Sequence, residues 1–134
     1  MDLKSLGKTV PAPLTGANAS LLEAMPNPME EYSTTSNVVT IRGEEFTSLC
    51  PATYQPDFGQ IIVEYTPNLL IVESKSLKLY LGSFRNEPIF QEKVVAKICE
   101  DLGRLLDPVD LTVTGNFKSR GGWAISVASQ YTPD

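Results

Sequence analysis

The sequence predicts an α+β domain in the order β-β-α-α-β-β, an antiparallel sheet with two helices packed on one face. Three observations carry that expectation. Val94, Val95, Ile98, Leu102, Leu105 and Leu106 recur at the 3.6-residue period of an amphipathic helix. Leu111, Val113 and Phe117, and then Trp123, Ile125 and Val127, alternate with small or polar residues at the period of a half-buried strand. Between those patterns and the N-terminal third, residues 73–85 set cations against an apolar stripe at helical spacing.

In chain order, residues 1–36 form an arm. They carry Pro11, Pro13, Pro26 and Pro28 among small polar residues, with a short helical candidate at 19–25. Residues 37–134 form the single domain. Residues 38–41 and 44–46 are short extended pieces, and 50–59 hold too much Pro and Gly for anything but a loop. Residues 60–65 and 69–72 are strand-like and are joined by Thr66-Pro67-Asn68, turn chemistry that predicts an antiparallel hairpin. The basic helix follows over 73–85, Asn86-Glu87-Pro88 interrupts, and the second helix runs from about 90 to 106 until Pro108 ends it. A second hairpin turns through Lys118-Ser119-Arg120-Gly121-Gly122. Such a sheet has open edges, and open edges invite pairing with another copy, so a homo-oligomer joined edge to edge is expected.

A chain of 134 residues that is 42% hydrophobic suits one domain. Its net charge of -5 disfavours nucleic acid as a partner, because phosphate backbones are held by many Lys and Arg contacts. Eight of the eleven cations nevertheless lie between Lys75 and Arg120, so a local site for a small anion is available. The chain has no histidine, and its two cysteines, Cys50 and Cys99, have no CxxC spacing, which removes a Cys/His zinc site and a Cys–His dyad within one subunit. No metal is expected. Neither a secretory leader nor a membrane-spanning run is evident, so a cytoplasmic protein with reduced thiols and no membrane partner is expected.

Two groups of residues could carry chemistry. Lys75, Lys78, Gly82 and Arg85 share one face of the first helix opposite Leu77, Tyr80, Leu81 and Phe84, which is either a solvated basic face or an anion site. Cys50 sits in the Pro-rich loop with Asp57 seven residues on, a spacing that lets thiol and carboxyl face each other and share one proton. That suits an electrophile that must gain a proton, such as a nitrile or carbonyl; a loop cysteine beside a turn-forming aspartate is the other reading. Cys99 falls at the margin of the apolar helix face and reads as a small buried hydrophobe.

The motifs Ser48-Leu49-Cys50-Pro51, Gln55-Pro56-Asp57-Phe58, Glu73-Ser74-Lys75-Ser76-Leu77-Lys78-Leu79-Tyr80, Ser83-Phe84-Arg85-Asn86-Glu87 and Arg120-Gly121-Gly122 closely resemble those of the NADPH-dependent 7-cyano-7-deazaguanine reductases, the QueF family, in its short unimodular form. The resemblance implies the tunnelling fold, in which β-β-α-α-β-β units close into oligomeric barrels with active sites between subunits. It implies reduction of a nitrile to a primary amine with two NADPH, on the route to the tRNA base queuosine, with the free deazapurine rather than tRNA as substrate. By motif position Cys50 would be the nucleophile that forms a covalent thioimide and Asp57 its acid/base. Glu92, Ser74, Phe90 and Gln91 would line the substrate pocket, and Lys75, Lys78 and Arg120 would hold the phosphates of NADPH. One position departs from the pattern: family members have His before the substrate-binding Glu, and here it is Gln91. An amidine-forming relative of the same fold, or a purine-binding oligomer without chemistry, are the alternatives. The intact Lys75/Lys78 helix argues against the first.

Overall fold

A computed structural model describes residues 17–133. Its elements are β1 (Ala24–Pro26), β2 (Val39–Leu49), β3 (Pro56–Thr66), β4 (Leu70–Val72), α1 (Ser74–Gly82), α2 (Gln91–Leu106), β5 (Asp110–Phe117) and β6 (Ser126–Gln130). Four strands form an antiparallel sheet in the order β2-β3-β5-β6, and β1 and β4 form a separate pair. The α+β class and both helices are as the periodicity predicts.

The core lies between one face of that sheet and the helices. Ile61, Val63, Tyr65, Leu111 and Val113 point inward from adjacent strands at two-residue spacing, and Val94, Val95, Ile98, Leu102 and Leu106 meet them from α2. Each such aliphatic side chain, fully buried, contributes about 1.5–3 kcal/mol. Gly115 marks the closest approach of helix to sheet, where a Cβ would stand 2.6 Å from Val95 Cγ2. The Tyr80 hydroxyl donates to Asp101 Oδ2 at 2.6 Å, and Lys97 Nζ lies 3.0 Å from the same oxygen, so α1 is tied to α2 by a partly buried polar link.

Three expectations are corrected. The first hairpin is not 60–65 with 69–72. Strand β3 is longer than expected and has β2 on one side and β5 on the other, so neither of its edges is open to Leu70–Val72. That segment pairs instead with β1 of the arm, Ala24 opposite Val72. The helical candidate at 19–25 shrinks to a 3-10 turn, Ala19–Leu21, capped by the Asn18 side chain. Beyond it Leu22 and Ala24 alternate inward and Pro26 closes a strand rather than a helix. The two short pieces at 38–41 and 44–46 are one strand, β2, interrupted by a bulge: Gly43 faces Ile61 but Phe46 faces Gly59, leaving one extra residue on β2.

The arm is therefore part of the fold. Glu73 N–H donates to the Glu23 carbonyl at 2.9 Å, and Glu23 N–H donates to Ser76 Oγ at 3.0 Å, so it braces the first turn of α1. Residues 1–16 of the expected arm lie outside the described residues.

Candidate active site

Cys50 follows directly on β2, in the turn that joins it to β3. Tyr54 N–H donates to the Cys50 carbonyl at 2.8 Å and Cys50 N–H to the Gln55 carbonyl at 2.9 Å. The reversal is completed by Tyr54, whose φ of 57° is left-handed. The tight loop folds its own donors back onto the sulfur. The Thr53 hydroxyl, the Thr53 and Ala52 backbone N–H groups and the Arg120 guanidinium lower the Cys50 thiol to about 7, with burial opposing them. Cys99 behaves oppositely. It is buried against β6, its thiol donates to the Ser129 carbonyl at 3.4 Å, and burial raises its ionisation.

Asp57 is the second residue of β3, not a loop residue, and it is paired in register with Ser48 at the end of β2. Strand alternation turns it to the core side, where it is 2% exposed. Burial raises its carboxyl above the ordinary range, and Arg120 works in the opposite direction. Arg120 Nε stands 3.1 Å from Asp57 Oδ1. Its N–H is not aligned on that oxygen, so the charge is partly compensated while the oxygen stays without a hydrogen bond.

Arg120 is delivered by a tight turn. It exchanges backbone hydrogen bonds of 2.7 and 3.0 Å with Trp123, and Gly121 and Gly122 take the two positive φ values, 56° and 86°, that a type I′ turn requires. Lys118 N–H, just before it, donates to the Phe58 carbonyl at 2.8 Å and fixes this turn beside the start of β3.

The beginning of α2 docks on the same end of the sheet. Leu49 N–H donates to the Glu87 carbonyl and Ile89 N–H to the Leu49 carbonyl, each at 3.0 Å, so Pro88 lies opposite Leu49 and the chain enters α2, through Phe90, Gln91 and Glu92, from beside the end of β2. Phe90 is 63% exposed and occupies the N-cap position without a side-chain cap bond. Gln91 is buried, and Glu92 is exposed in the first turn, where the helix dipole favours its charge.

The basic face of α1 lies on a separate cleft of about 410 Å³. Lys78, Arg85 and Arg42 bring three cations to it, Leu77, Leu81 and Ile41 supply apolar walls, and Ser74 lines it too. Two N–H groups at the start of α1 are already taken. Both Glu73 oxygens accept from them, Oε2 from Lys75 N–H at 2.8 Å and Oε1 from Ser76 N–H at 2.7 Å. An anion in this cleft would thus be held by side chains rather than by the helix terminus.

The expected site residues are distributed in three places. Cys50, Asp57 and Arg120 come together; Phe90, Gln91 and Glu92 sit beside them; Ser74 and Lys78 share the cationic cleft, and Lys75, one step around the helix, is not among its lining residues. Arg120 therefore meets the thiol and carboxyl rather than the α1 cations. Sequence reasoning missed Thr53, Ser48 and Arg42. Thr53 had a signal, being inside the turn that reverses at Cys50. Arg42 had none, because it lies on β2, more than thirty residues before the α1 cations it joins.

Comparison with known proteins gives the family and the fold. A family model described as QueF-like protein matches residues 56–134, which take in Asp57, both helices and Arg120. An NADPH-dependent 7-cyano-7-deazaguanine reductase of Helicobacter pylori (strain P12) is 49% identical over 131 residues, 98% of this chain and 86% of that one. One of Desulfovibrio desulfuricans is 46% identical over 136 residues, 99% of this chain and 78% of that one. Among solved structures, the archaeosine synthase QueF-Like in the apo form superposes with a TM-score of 0.67 at 20% identity, covering 75% of this chain and all of that one. That likeness bears out the tunnelling fold.

Proposed function

The chain belongs to the QueF-like family, and on that premise we propose that it is an NADPH-dependent reductase that converts the nitrile of 7-cyano-7-deazaguanine into the aminomethyl group of 7-aminomethyl-7-deazaguanine. The observation that carries this reading is the meeting of a thiol poised near neutrality, a buried carboxyl with a raised ionisation, and one guanidinium that serves both. A nitrile must gain a proton on nitrogen as its carbon is attacked. The Cys50–Asp57 pair holds one proton to give at neutral pH.

Cys50 Sγ bonds to the nitrile carbon while the shared proton passes through the Asp57 carboxyl to the nitrogen, forming a thioimide with no atom lost. NADPH, when bound, supplies hydride, and two equivalents account for the four electrons between nitrile and primary amine. Between the two reductions the carbon–sulfur bond breaks, and the sulfur leaves as the thiolate that Thr53 and Arg120 stabilise. Asp57, refilled from solvent, again supplies the proton to nitrogen.

Glu92 would accept hydrogen bonds from the amino and ring N–H groups of the deazaguanine, with Phe90 and Gln91 beside it at the start of α2, and Ser74, which lines the separate cationic cleft, would reach the substrate from a neighbouring subunit. The residues present fit NADPH: Lys78, Arg42 and Arg85 outnumber the one carboxylate of the cleft, Glu45, and are donors for its phosphates, while Leu77, Leu81 and Ile41 give a flat ring an apolar wall. Lys75 adds charge from the adjacent turn of α1, and Arg120 is close enough to the reacting pair to serve a phosphate only where cofactor and substrate meet.

Among the described residues the outer edges of β2 and β6 have no strand partner, and Trp123, Phe90 and Phe58 are exposed around the Cys50 end. Both features fit a homo-oligomer whose sheets join edge to edge with sites between subunits. Among the described residues no helix is long and apolar enough to cross a membrane. A cytoplasmic enzyme acting on the free base, upstream of queuosine in tRNA and without binding tRNA itself, is consistent with the acidic charge. The reading is tested by the absorbance of NADPH, which falls on addition of the nitrile and stays constant without it; binding of the nitrile with no oxidation of NADPH would leave a purine-binding oligomer.

A further inference from the structure

Ser48 and Asp57 face each other across β2 and β3 as register partners, on the same side of the sheet. Ser48 is fully buried and Asp57 nearly so, and among the described residues neither Ser48 Oγ nor Asp57 Oδ1 has a hydrogen-bond partner. Buried polar atoms are rarely left unpaired, because each costs about 1–3 kcal/mol. Two of them opposite one another, with Cβ atoms about 4.5–5.5 Å apart as in any antiparallel pair, are within reach through side-chain rotation alone. The charged group against Asp57 is Arg120 from the β5–β6 connection, which also reaches the Cys50 thiol of the β2–β3 turn, and the segment docked on Leu49 carries Glu87, Gln91 and Glu92.

We propose that Ser48 is a positioning residue for Asp57: its hydroxyl donates to the carboxylate as the pair takes up its shared proton, fixing the carboxyl toward Cys50. This rests on the reductase reading for its consequence, but its geometry can be tested without turnover. A hydroxyl that donates to the ionised carboxyl favours that form, so its loss raises the Asp57 ionisation. Titration of the oligomer labelled with 13C at aspartate carboxyls, the Asp57 signal being the one missing in Asp57→Asn, reads this directly. In Ser48→Ala the midpoint should rise by about half to one pH unit, and Ser48→Thr should restore it. With nitrile, the acid limb of adduct formation in Ser48→Ala should move upward by the same amount, with unchanged NADPH affinity. By linkage, Ser48→Ala should lose a little thermal stability above the Asp57 midpoint, where the carboxyl is ionised, and none well below it. An unchanged Asp57 midpoint in Ser48→Ala overturns the proposal. A shifted midpoint in a protein that forms no nitrile adduct leaves the Ser48 relationship standing and removes the reductase reading instead.

Discussion

Arg120 Nε lies 3.1 Å from Asp57 Oδ1 and the same guanidinium reaches the Cys50 thiol, so a side chain from the β5–β6 connection lowers both ionisations, adding to Thr53 and Ala52 at Cys50 and opposing burial at Asp57. Arg120→Ala should raise both. The pH dependence of Cys50 alkylation by iodoacetamide, located by peptide mass, should then move upward from its midpoint near 7. If Arg120 served a cofactor phosphate alone, the alkylation profile would stay where it is and only NADPH affinity would fall.

Two probes of Cys50 should respond to pH in opposite ways. Alkylation needs the thiolate and should rise through about 7. Adduct formation with the nitrile needs one proton shared between Cys50 and Asp57, so it should fall above that pH and fall again, on the acid side, as Asp57 takes up a second proton. Asp57→Asn should leave alkylation intact and shift it to lower pH, because a neighbouring negative charge is gone, while slowing adduct formation about a hundredfold or more. Parallel profiles for the two probes would show that Asp57 supplies no proton.

Much of this arrangement was legible in the sequence. The long period-3.6 run of α2 and the alternation of β5 are set by residues that face one core, so their spacing alone gives class and faces. The first hairpin was not, because Leu70–Val72 reads as a partner for β3 until β5, more than forty residues later, is known to take that edge. Cys50 and Asp57 are picked out by spacing and motif, but Asp57 reads as a turn residue and lies on β3, because the strand begins at Pro56. The pairing of Arg120 with Asp57 was not, since it depends on where a glycine turn in a distant hairpin comes to rest.

Lys78 is exposed in the cationic cleft with Arg42 and Arg85. Lys78→Ala should weaken NADPH binding by roughly 10- to 100-fold at low ionic strength, the range for a lost charge-assisted hydrogen bond, and by less as salt screens the site. Arg42→Ala should do the same, and thioimide formation should persist in both. Titrations of NADPH binding at two salt concentrations check this, and loss of the adduct with intact cofactor affinity would assign the cleft to the substrate.

Gln91 is buried in the first turn of α2, where it can donate and accept hydrogen bonds but cannot carry a proton near neutrality. Gln91→His should speed single-turnover NADPH oxidation from the preformed thioimide more than it alters substrate affinity. Burial and the positive helix end both disfavour imidazolium, so the added ionisation should fall below the ordinary imidazole range. Identical pH profiles in the two forms would make position 91 a positioning site only.

The most direct test is the intact-protein mass after exposure to 7-cyano-7-deazaguanine without NADPH. Wild type and Cys99→Ala should each gain the mass of one substrate per chain, Cys50→Ala should gain none, and NADPH should return the first two to their original mass with release of the amine. An adduct that survives in Cys50→Ala, or NADPH consumption by Cys50→Ala at the wild-type rate, would contradict covalent catalysis at Cys50.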